Sequence, residues 1–118
     1  MESSKSLSHV TLFHVTPARS LHRILCEGLQ PRIGPRARRA GERVAGVYFF
    51  LTSDAAADAV SGWLGDCFGE STHLALLEVR VSAQAFQNSR EIAGMAGYEV
   101  CLTTAIAPEQ IAVKNTDF

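Results

Sequence analysis

The chain has 118 residues, 47% of them hydrophobic and 19% charged, with a net charge of −1 at pH 7. This is enough apolar material for one domain with a core; it excludes a disordered chain and gives no overall pull toward nucleic acid or an anionic membrane. No apolar run approaches the roughly 20 residues that cross a bilayer, and residues 1–9 read as a loose polar lead-in, not a signal peptide.

In chain order, residues 11–15 (TLFHV) form a short β-prone run. A helix follows: Thr16 is placed to cap it, Pro17 suits its first position, and Leu21, Ile24 and Leu25 recur on one face. Gly28 fits the left-handed position past its end, with Leu29 as the following apolar contact. Residues 30–46 carry prolines, glycines and five arginines (Arg32, Arg36, Arg38, Arg39, Arg43), the pattern of a long loop.

Residues 47–52 (VYFFLT) read as a central strand. Thr52 or Ser53 then caps a helix running to Leu64, with Ala56, Val60, Trp63 and Leu64 on one face and Asp54 in its first turn. A turn is expected over 65–72 and the longest strand over 73–81. One helical turn is expected at residues 83–86, a loop over 87–97, and strands over 98–103 and 110–115. Strands that follow one another without helices in the C-terminal half indicate an α+β fold. Its sheet should be mixed or largely antiparallel, with two main helices.

Three cysteines, Cys26, Cys67 and Cys101, have no close spacing, and two lie in apolar segments. That pattern suits reduced, buried thiols and a cytoplasmic place of action, in the producing cell or, after delivery, in a host cytosol. No His/Cys spacing suits zinc, so no metal is expected. Phosphate-loop, dinucleotide-binding and nucleophile-elbow motifs do not occur either.

His14 sits mid-strand, Tyr48 opens VYFFLT, and Glu99 stands one residue into an apolar strand. An ionised carboxylate there is at a rim, paired or functional, because burying it alone costs several kcal/mol, on the order of a buried ion's desolvation. Glu78 is the rival carboxylate. It alternates with Arg80, which fits a solvated or cross-paired strand face.

The order His14–Thr16, a helix ending in Gly28-Leu29, GVYFF into a Ser-started Ala-rich helix, and a late Glu99 resembles one known family. It is similar to the ADP-ribosyltransferase superfamily, in its diphtheria-toxin and poly-ADP-ribose polymerase branch with the H-Y-E triad, over residues 11–113. The resemblance implies a sheet split around an NAD-binding cleft and NAD as substrate. It implies that His14 holds the adenine-side ribose, Tyr48 stacks on nicotinamide, and Glu99 stabilises the developing cation and orients the acceptor. The backbone of Val15, where the polymerases carry Gly, and the side chains of Thr16 and Ser53 would line the nicotinamide end. Trp63, Phe49 or Phe50 would supply the second aromatic face, and Arg32 and Arg36 would meet the pyrophosphate.

The implied activity is mono-ADP-ribosylation of a macromolecule, protein or nucleic acid, in the manner of a bacterial or phage toxin or effector. Two alternatives stand beside it: an NAD glycohydrolase, and a scaffold without turnover that grips an acidic partner through the Arg32–Arg43 loop.

Overall fold

The computed structural model describes residues 9–31, 46–69, 71–91 and 98–118. Its strands are β1 (His9–Pro17), β2 (Val47–Phe50), β3 (Leu74–Ser82), β4 (Arg90–Glu91), β5 (Glu99–Leu102) and β6 (Ile111–Asn115). Its helices are α1 (Leu21–Glu27), α2 (Ser53–Val60), α3 (Trp63–Phe68) and α4 (Ala83–Gln87), with 3-10 turns at Ala18–Ser20 and Pro108–Gln110. The strands make one six-stranded sheet in the order β4-β5-β2-β1-β3-β6. Each of its strand pairs is antiparallel, so the sheet is not mixed.

Alternation along the strands feeds two apolar clusters, one on each face. Leu12, Phe49, Leu77, Val79, Val81, Val100 and Leu102 pack with Ile24 of α1, Leu29 and Ile106. Val15, Phe50, Leu74 and Leu76 pack with Ala56 and Ala59 of α2 and Leu64 of α3. Leu12, Phe49 and Leu77 are 0% exposed, and each such side chain stabilises the fold by roughly 1.5–3 kcal/mol.

The long partnership is β1 with β3, in register from His9↔Ser82 to Pro17↔Leu74. The β1–β2 contact is far shorter, with Phe13↔Phe50 as its register pair. The sheet is thus two three-stranded halves, β4-β5-β2 and β1-β3-β6, joined at a narrow seam.

Several local expectations change. Thr16 does not cap a helix: β1 runs on through Pro17, and Thr16 is buried in the ladder opposite Ala75. Helix α1 starts only after the 3-10 turn, behind Ser20. The second helix breaks in two because the Ser61 hydroxyl donates to the carbonyls of Ala57 and Asp58, and Gly62 then leaves helical geometry. Its second piece, α3, runs to Phe68, into what the sequence presents as a turn. Thr52, not Ser53, caps α2, its hydroxyl accepting from the Ala55 N–H at 3.0 Å. Cys101 is buried, but Cys26 is exposed and Cys67 partly so.

Gly28 ends α1 as expected, at φ +83°, with its N–H donating to the Ile24 carbonyl. A Cβ at this position collides with the main-chain carbonyl of Ile106, whose strand bridge with Leu29 holds it in place. Left-handed strain and the clash act together, so Gly28→Ala is expected to destabilise the fold by about 2 kcal/mol or more. A urea-denaturation midpoint measures this, and an unchanged midpoint refutes it.

Candidate functional site

The three sequence-selected residues lie on three consecutive neighbours in the sheet: Glu99 on β5, Tyr48 on β2 and His14 on β1. His14 and Tyr48 are tied directly. The imidazole Nδ1 donates to the Tyr48 carbonyl oxygen at 2.8 Å, across the seam where the β1–β2 ladder is short. The same ring stands 5.6 Å from the Phe49 ring. Because a carbonyl only accepts, it fixes the neutral imidazole as the Nδ1–H tautomer and leaves Nε2 as an acceptor, suited to a ligand hydroxyl.

Burial pushes the His14 imidazole below its ordinary pKa of 6.5, outweighing the opposite pull of the Tyr48 carbonyl. A histidine whose folded pKa is depressed contributes stability that is fully present above the unfolded value and is lost as pH falls below it. Wild type is therefore expected to lose more stability than His14→Gln when pH drops from about 8 to about 5. Parallel melting curves across that range would refute the assignment.

Tyr48 is directly opposite Cys101, and Glu99 directly opposite Phe50. Tyr48 and Glu99 are thus diagonal neighbours, with Cα atoms roughly 7–8 Å apart, on one face of the sheet. Alternation places that face with Phe50 and the second cluster, whereas His14 alternates with Leu12 of the first. The three residues do not share a face. A ligand that touches all three lies across the seam.

Glu99 is 1% exposed. Around it stand Phe50, the Trp63 ring 6.3 Å from Phe50, and Tyr98, edge-on to Phe50 at 5.6 Å. Trp63 therefore belongs to the Glu99 side of the sheet. Phe49 and Phe50, the other candidate aromatics, are both buried in the core. Val15 is buried in the second cluster, Thr16 in the β1–β3 ladder, and Ser53 is a half-buried first residue of α2. Arg32 and Arg36, with the rest of the Arg32–Arg43 stretch, lie outside the described residues.

Glu78 takes the modest role its alternation with Arg80 suggests. It pairs with Lys114 of β6 at 3.7 Å on a partly solvated face. Among the described residues no group of His, Cys, Asp and Glu is placed to hold a metal ion. No helix among them is long and apolar enough to cross a membrane.

Two features escaped the sequence reading. One is the hydrogen bond of Tyr98 to Asp58, which joins residues 40 positions apart and has no periodic signal. The other is a cleft of about 480 Å³ lined by His9, Arg80, Ser82, Thr104 and Glu109, away from the triad. No family model matches the sequence, and a search of curated proteins finds no match.

Proposed function

We propose that this chain is an NAD-dependent mono-ADP-ribosyltransferase acting on a macromolecule, with NAD bound across the β1–β2 seam of an ADP-ribosyltransferase-like fold. The observation that carries this reading is the adjacency of β1, β2 and β5, with the His14 tautomer set by the Tyr48 carbonyl. The narrow join between the two half-sheets supports it, because a split sheet is what the sequence resemblance implies.

In this reading Nε2 of His14 accepts from a ribose hydroxyl of NAD, and the Tyr48 ring stacks on nicotinamide. The bond between ribose C1 and the nicotinamide nitrogen breaks, and its electron pair leaves with neutral nicotinamide. The Glu99 carboxylate stabilises the positive charge that develops on the ribose. A nucleophilic atom of the acceptor then bonds to C1 and loses its proton to Glu99 or solvent.

The test is nicotinamide release from NAD by the purified protein, alone and with cell lysate, alongside transfer from labelled NAD. Label on a macromolecule supports transfer; release to water alone supports the glycohydrolase. No release under either condition sinks both. The alternative of a scaffold without turnover is favoured by one observation, that the 480 Å³ cleft is lined by none of the triad.

A further inference from the structure

Tyr98 immediately precedes Glu99 and is gripped at three points. Its carbonyl accepts from the Leu51 N–H at 3.1 Å, just past the end of β2. Its ring stands edge-on to Phe50, at an interplanar angle of 84°, and Phe50 is the register partner of Glu99. Its hydroxyl donates to Oδ2 of Asp58 on α2 at 3.2 Å.

A carboxylate only accepts, so the phenol hydroxyl is the donor in this bond, which ties α2 to the residue just before β5. Burial and the neighbouring carboxylates of Asp58 and Glu99 hold the phenol above its ordinary pKa of 10.0, so the donor stays protonated through neutral pH.

We propose that Asp58 and Tyr98 are positioning residues for Glu99: through this bond α2 fixes the start of β5, and with it the carboxylate. The inference rests on the reading of Glu99 as the group that stabilises the transition state. Neither side chain needs to touch NAD. Losing the bond lets the carboxylate drift relative to the ribose, and displacements near 1 Å are enough to cost up to about a hundredfold in rate.

The experiment compares NAD turnover in wild type, Tyr98→Phe, Asp58→Ala, Asp58→Asn and the Tyr98→Phe/Asp58→Ala double variant. Tyr98→Phe keeps the ring and deletes the hydroxyl; Asp58→Asn keeps an acceptor oxygen. The expected result is a fall in kcat on the order of tenfold for Tyr98→Phe and Asp58→Ala, with KM for NAD within about twofold. Asp58→Asn is expected to stay near wild type. The double variant is expected to be no worse than either single one, because both cut the same bond.

Trp63 is the sole tryptophan and shares the Phe50 ring with Tyr98, so its fluorescence maximum is expected to shift in Tyr98→Phe whether or not the enzyme turns over. Unchanged kcat in both single variants overturns the proposal, as does a loss carried by KM, additive effects in the double variant, or an unshifted spectrum. A wild type that turns over NAD while the variants match it sinks this inference alone. A wild type that never turns over NAD sinks the proposed function and this inference together.

Discussion

Glu99→Gln is expected to lower NAD turnover by about a hundredfold to a thousandfold, the range seen when one preorganised electrostatic contact to a transition state is removed. The substitution keeps the shape of the side chain and removes its charge. Glu99 is 1% exposed, and the amide fills the space of the carboxylate. If turnover survives Glu99→Gln, the catalytic reading fails. Glu78→Gln is the matched control, since its partly solvated pair with Lys114 stands on the far side of β1 from β2. It is expected to leave turnover unchanged.

Phe49→Ala is expected to cost about 3–5 kcal/mol, read as a shift in the urea midpoint at constant slope. Phe49 is 0% exposed, belongs to the first cluster and packs against the His14 imidazole. Truncation removes a full aromatic side chain and opens a cavity at the seam, where the β1–β2 ladder gives little backbone support. Total stabilities of small domains are only about 5–15 kcal/mol, so this single change approaches global unfolding. Phe49→Leu, which refills most of the volume, is expected to cost markedly less. A near-neutral Phe49→Ala would mean that the seam is not packed as described.

The sequence made much of this architecture legible. The β-prone apolar runs VYFF, LALLEVRV and YEVCL identify strands β2, β3 and β5. Gly28 marks the end of α1, and residues 83–87 form the short helix read as one helical turn. These features rest on local physics: strand propensity, backbone freedom and capping. His14, Tyr48 and Glu99 stand out by residue type and element and, as a set, by the resemblance to the H-Y-E triad, while the alternation of Glu78 with Arg80 suits either a solvated or a cross-paired face, and Glu78 is partly solvated and pairs with Lys114.

What the sequence left open depends on which strands become neighbours. Thr16 reads locally as a cap, but the long β1–β3 ladder extends through it and buries its hydroxyl. The break at Ser61–Gly62 depends on a hydroxyl taking two carbonyls of the preceding turn. The contact of Tyr98 with Asp58 joins positions 40 apart. Whether the three chosen residues share a face is decided by register, since one residue of slip exchanges the two faces of a strand. The sequence by itself thus determined the elements and the residues with chemical capacity. Only the tertiary structure decided that β5, β2 and β1 lie side by side, and that His14 meets Tyr48 through the main chain. It alone set His14 on one face of the sheet and Tyr48 with Glu99 on the other, because sheet order and register are set by long-range packing rather than by local pattern.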